Sequence, residues 1–165
     1  MRPLIGIALF SAMTGFSVAS DTALLPIEQK VVDSVKSSHV TVVHFWAPWC
    51  PNCRAELAGN AWSGFIGSNP DVSFIFVTVW NDSDGANVLA ANGLDAKKNF
   101  VLLLHPNSSR HLSDKMNTFM GMPVSWIPTT WVFKDGKLLY ALNYGELRFD
   151  ILQQLVRDSS KEWNR

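Results

Sequence analysis

Cys50 and Cys53 are the only cysteines in a chain of 165 residues, and they stand as Cys50-Pro51-Asn52-Cys53. Two thiols cannot build a disulfide scaffold, so the pair is read as one chemical unit, a dithiol that opens and closes a disulfide. The β-branched and aromatic run from Val40 to Trp46 predicts a buried strand that stops at Ala47-Pro48, and the cysteines then open a helix. There the unpaired N–H groups and the positive end of the helix dipole lie under the first sulfur, so the Cys50 thiolate is expected to be stabilised and to act as the nucleophile. Cys53, a turn later on the same face, is placed to resolve a mixed disulfide from the less exposed side. Pro51 suits the first turn, where its missing N–H costs nothing. An inert disulfide and half of a zinc site are the competing readings. Zinc would need ligands from His44, His105 or His111, none of which stands at a short fixed spacing from a cysteine, so neither a metal nor another cofactor is expected.

The elements that must position this pair follow from periodicity and breakers. After Pro26, Ile27, Val31, Val32 and Val35 predict an amphipathic helix over 25–36. Beyond the cysteines, Leu57, Ala61, Trp62, Phe65 and Ile66 extend a helical pattern to the breaker Gly67-Ser68-Asn69-Pro70. A buried strand is expected over 72–80, a helix over 86–93 and a third strand over 100–104. The segment 112–121 predicts a short helix ending at Gly121, with Met116, Met120 and Met122 at helical core spacing. After Pro128, the runs 129–133 and 138–144 around Lys134-Asp135-Gly136-Lys137 predict a hairpin. Ile151, Leu152, Leu155 and Val156 put a closing helix over 147–159. Strands alternating with helices and then an antiparallel hairpin give an α/β fold with a mixed sheet covered on both faces.

Composition narrows the functional classes. Apolar residues make up 47% of the chain, enough for one domain with a core, and 14 Lys and Arg balance 14 Asp and Glu without a basic run. Nucleic acid is therefore not an expected partner. Residues 1–20 read as a signal peptide: Met1-Arg2, an apolar stretch from Leu4 to Val18, and a small-residue cleavage site at Ser17-Val18-Ala19 or Val18-Ala19-Ser20. No cysteine precedes Cys50 to carry a lipid, and left uncleaved the segment would be a membrane anchor. The folded domain is placed at 21–165, in an exported and periplasmic product.

The segment Val42-Val43-His44-Phe45-Trp46-Ala47-Pro48-Trp49-Cys50-Pro51-Asn52-Cys53 resembles the active-site stretch of thioredoxin-fold proteins. Ile127-Pro128-Thr129-Thr130, followed by Phe133-Lys134-Asp135-Gly136, resembles their cis-proline strand and hairpin. The long stretch between Cys53 and Pro128, with its extra strand and helix, is similar to the TlpA/ResA-like branch of exported bacterial thioredoxins. The resemblance implies a thioredoxin fold with a β-α insertion between the helix of the cysteines and the cis-proline strand. It implies thiol-disulfide exchange with protein thiols and disulfides, and a DsbD-like membrane electron donor. Pro128 would lie cis against the cysteines, and the Ile127 backbone would offer strand-like hydrogen bonds to a bound polypeptide. Trp46 and Trp49 would flank the site, Trp46 mainly as core and Trp49 as an apolar docking surface.

His44 departs from the family pattern, which has a buried Asp or, in TlpA-like relatives, often Asn at this position. Two roles are open: a proton relay for Cys53, since imidazole titrates near neutrality, or a neutral core imidazole. Asn52 is uncharged and gives the thiolate no cationic neighbour such as the C-P-H-C histidine of strongly oxidising relatives, so a reductase is expected. A disulfide-forming oxidase is the rival within enzymes, and a copper-binding or redox-sensing module the rival outside them. No added domain is available for an isomerase cleft, and a monomer is expected.

Overall fold

The computed structural model describes residues 23–143 and 147–161. The signal-peptide segment 1–20 lies outside them, as does Tyr144 at the end of the expected hairpin. Five strands form one sheet in the order β3-β2-β1-β6-β7. β1 (Thr41–Trp46), β2 (Ser73–Thr78) and β3 (Phe100–Leu104) run parallel, while β6 (Thr129–Lys134) and β7 (Lys137–Asn143) are antiparallel to their neighbours. The mixed sheet of the thioredoxin fold is thus present, with β1 at its centre, as sequence periodicity and the resemblance imply.

Strand pleating sorts the side chains of β1 into two cores. Val42 and Trp46 point to one face with Phe74 and Phe76 of β2, where α2 (Pro51–Leu57), α3 (Ala61–Gly67) and α5 (Phe149–Ser160) add Leu57, Trp62, Phe65, Ile66, Leu152 and Val156. Val43 and Phe45 point to the other face with Ile75, Val77 and Trp131, covered by Val31 and Val35 of α1 (Pro26–Val35) and by Met116 and Phe119. Among the described residues no helix is long and apolar enough to cross a membrane.

Three expectations are corrected. The helix that opens at the cysteines does not run through to Ile66: a 3-10 turn at Ala58–Asn60, with Gly59 (φ 64°) and Asn60 (φ 57°) in the left-handed region, separates α2 from α3. Apolar spacing persists across the break because both halves pack on the same sheet face. Residues 112–121 are not helical. They form turns and the first strand of a small hairpin, β4 (Thr118–Phe119) with β5 (Met122–Pro123), in which Met120 and Gly121 both have positive φ. The methionines bury against the second core from this irregular segment, so helical spacing there was coincidental. The expected helix over 86–93 is shorter, α4 at Ala86–Ala90.

The approach to the cysteines depends on one glycine. Gly85, at φ 75°, lies against the indole of Trp46, and a Cβ added there would come within 2.8 Å of Trp46 Cη2 and 3.3 Å of Pro48 Cγ. Gly85→Ala therefore combines left-handed strain with a clash against a rigid buried ring, a loss of about 2–4 kcal/mol. Gly121→Ala, at φ 73° with open space around it, carries the strain alone and is expected to cost about 1–2 kcal/mol. Urea midpoints of the two variants measure the difference.

Candidate active site

The strand-to-helix turn brings Cys50 to the N-cap of α2 in extended backbone (φ −74°, ψ 119°), with Pro51 in the first turn. The Cys50 amide donates to the Ala47 carbonyl at 3.1 Å, and its carbonyl accepts from the Arg54 amide at 3.0 Å. Its Sγ accepts from the Cys53 amide at 3.3 Å. Across the site the same thiol donates to the Ile127 carbonyl oxygen at 3.7 Å. The Ile127–Pro128 peptide is cis and Pro128 is buried where β6 begins, so the sequence-distant proline segment lies against the nucleophile candidate.

Both cysteines are free thiols, and they differ in environment. Cys50 is 5% exposed at the floor of an open groove of about 390 Å³, whose lining includes Trp49, Pro51, Asn52 and Ile127. Cys53 is 1% exposed and does not line that groove. Burial pushes the Cys53 thiol strongly upward, and the neighbouring Cys50 sulfur and the Glu56 carboxylate add to the shift, while a backbone hydrogen bond with Ala47 opposes it. Cys53 thus holds its proton at neutral pH.

His44, 1% exposed, stands behind the cysteine helix at the centre of the sheet. Its Nδ1 makes a 2.9 Å hydrogen bond with Thr130 Oγ1 of β6, and Nε2 faces Glu56 Oε2 at 3.4 Å. Trp62 and Phe76 pack on the ring with centroids 4.7 Å away. Burial lowers the imidazole to about 3, so it is neutral at physiological pH. The Glu56 carboxylate accepts in turn from the Leu147 amide at 2.8 Å through Oε1.

Glu56 escaped the sequence reading. A glutamate on a short helix is ordinarily a solvent-facing residue, yet here it is buried. The available signal was its position on the helix, a turn beyond Cys53 and next to Leu57, hence on the inward stripe. The two tryptophans differ in burial. Trp46 is core, whereas Trp49 is 39% exposed and is fixed by a 3.0 Å hydrogen bond from its Nε1 to the Trp80 carbonyl. His105 and His111 do not join the site: His105 is buried elsewhere, with Nδ1 accepting from the Asn107 amide at 3.1 Å, and His111 is exposed.

The family model for a thioredoxin-like domain matches residues 27–160. Among solved structures, a thiol:disulfide interchange protein of the thioredoxin family from Chlorobium tepidum is similar with a TM-score of 0.53 at 19% identity, covering 78% of this chain and 84% of that one. A secreted Mycobacterium tuberculosis disulfide oxidoreductase homologous to E. coli DsbE gives a TM-score of 0.50 at 22% identity, with 76% and 85% covered. No curated protein matches the chain. The structural likenesses are likenesses of fold. The span matched by the family model takes in every strand of the sheet and both cysteines, and the chain belongs to the thioredoxin-like domain family.

Proposed function

We infer that the protein is an exported thiol-disulfide oxidoreductase that reduces disulfides of protein substrates through Cys50 and Cys53, acting as a monomer. The asymmetry of the two sulfurs carries this reading. Cys50 opens on a groove at a helix N-terminus, the setting in which thiolate nucleophiles are found, while Cys53 is sealed behind it. The Cys50 thiolate attacks one sulfur of a substrate disulfide and expels the other as thiolate. Cys53 then loses its proton to the buried side and attacks the Cys50 sulfur, releasing the second substrate thiolate and leaving the Cys50–Cys53 disulfide. Two electrons pass to the substrate, and a dithiol donor, by resemblance a DsbD-like membrane protein, returns them. Trp49, Pro51, Asn52 and Ile127 line the approach, with Pro128 behind Ile127. The apolar stretch of Leu4 to Val18 supports export to the periplasm.

Asn52 supports the reducing direction, because it adds no cation beside the thiolate. A reduction potential nearer the thioredoxin value of about −270 mV than the DsbA value of about −120 mV is expected in equilibrium with glutathione, and Asn52→His moves it upward. A potential close to that of DsbA assigns an oxidase instead. Trapping tests the roles of the sulfurs: Cys53→Ser accumulates mixed disulfides with exported proteins and Cys50→Ser does not. Equal trapping by both variants refutes the division of labour.

His44 is assigned a positioning role, and Glu56 the proton-accepting one. An imidazole held at about 3 does not titrate between pH 5 and 8, whereas the Glu56 carboxylate acts electrostatically on Cys53 and abuts His44. His44→Asn is then expected to keep most of the resolution rate, and Glu56→Gln to slow release of the mixed disulfide roughly 100-fold, the scale of a lost general base. Stopped-flow quenching separates this step from the attack by Cys50. A resolution rate unchanged in Glu56→Gln and collapsed in His44→Asn returns the relay to His44.

Stability reports the same histidine. The unfolded chain protonates His44 near 6.5 and the folded protein only near 3, so folding is opposed increasingly as pH falls from about 6.5 toward 3. Urea unfolding at pH 7 and pH 4.5 is expected to show a smaller loss of stability in His44→Asn than in the unmodified protein.

A further inference from the structure

Arg110 and Lys115, from the irregular segment between β3 and β4, line the same groove as Cys50. The Arg110 guanidinium lies 4.6 Å from the Trp49 ring centroid, with Nε donating to the Trp80 carbonyl at 3.2 Å and Nη2 to Asn81 Oδ1 at 3.4 Å. The Lys115 ammonium lies 4.4 Å from the Trp80 ring centroid and donates to the Ser125 carbonyl at 3.3 Å. Each long side chain is thus laid on an indole and held by neutral acceptors, which fixes its position without cancelling its charge.

Some surface cations of this chain are neutralised locally. Lys36, Arg148 and Lys161 pair with Asp33, Asp150 and Asp158. Among the described residues, neither Arg110 nor Lys115 has a carboxylate within ion-pair distance, and no acidic side chain lines the groove. In a chain whose formal charge balances to zero, the rim of the reactive sulfur is a local site of two uncompensated positive charges. Trp126, 63% exposed, adds an apolar wall beside Ile127. The groove is lined by Trp49, Trp126 and Ile127 as well as by the two cations, a mixed apolar and charged wall that suits a polypeptide better than a compact anion.

We propose that Arg110 and Lys115 make the groove selective for polypeptide disulfides whose reacting cysteine is flanked by Asp or Glu. The selectivity rests on the reading of Cys50 as the nucleophile. It acts on encounter and on docking, where complementary charge raises association rates and like charge suppresses wrong partners.

The test uses the reduced full-length domain and homodimeric peptide disulfides that differ only in residues flanking the cysteine: Glu, Gln or Lys. Each second-order rate constant is divided by that of dithiothreitol with the same peptide, which removes the intrinsic effect of flanking charge on the disulfide. The Glu peptide is expected to exceed the Lys peptide by roughly tenfold at low ionic strength, and the ratio to shrink as salt is raised. In the Arg110→Gln/Lys115→Gln variant the ratio falls toward one, and Arg110→Lys/Lys115→Arg retains it. Because the readout is a ratio within each variant, a general change in reactivity does not imitate it. Equal rates for the Glu and Lys peptides, or a preference that survives the double Gln substitution, overturns the proposal. Oxidised glutathione gaining as much as the Glu peptide overturns it in favour of a small anionic disulfide. If no disulfide reacts while the protein remains folded, the nucleophile reading itself fails, an outcome distinct from reaction without charge preference.

Discussion

A carboxylate and an imidazole in the middle of an aromatic core constrain everything around them. His44 and Glu56 are almost fully buried, and such groups are tolerated only where their polar atoms find partners. The partners come from separate parts of the chain: Thr130 from β6, His44 from β1, Glu56 from α2 and the Leu147 amide from the approach to α5. Satisfying them sets where α2 sits on the sheet and where β6 runs beside β1. Those two placements are what bring Cys50 Sγ against the Ile127 carbonyl. Removing one partner of a buried hydrogen bond leaves the other unsatisfied at a cost of about 1–3 kcal/mol, so the chain of contacts resists piecemeal change.

The difference between the sulfurs follows from that placement and needs no special chemistry. A helix docked by its inward stripe turns Cys53, Glu56 and Leu57 toward the sheet, while its first residue faces the groove. The N-cap position then gives Cys50 an amide donor and a place in the groove wall, and gives Cys53 a desolvated pocket near Glu56. A proton on Cys53 sits in a place where charge is disfavoured.

Much of this was legible in the residues. β-branched and aromatic runs marked β1, β2, β3 and β6, Asp135-Gly136 marked the hairpin, and the spacing of Cys50 and Cys53 after a strand marked the site. What was not legible has physical causes. The left-handed backbone at Gly59 and Asn60 is compatible with unbroken apolar spacing, because both helical pieces serve one face. Met116 and Phe119 fill the second core from turns and a short hairpin, and burial leaves the same apolar pattern that a helix would. Glu56 was hidden by its type, since a glutamate is so rarely interior, and Arg110 was hidden by distance, since its seat on Trp49 joins residues remote in sequence.

The irregular stretch from β3 to β6 therefore bears on function in a way that a helix there would not. The candidate cysteines are held by β1, α2 and the start of β6, the parts tied together through His44 and Glu56. The rim of the groove is built instead from turns, whose backbone is free to vary without disturbing the sheet. Arg110, Lys115 and Trp126 all come from that stretch, yet they meet Cys50 in one groove. Separating the two layers lets Cys50 keep a fixed geometry while the surface beside it can change charge and shape. In a fold shared by many chains, such loops are where surfaces differ while the buried contacts beneath them stay alike.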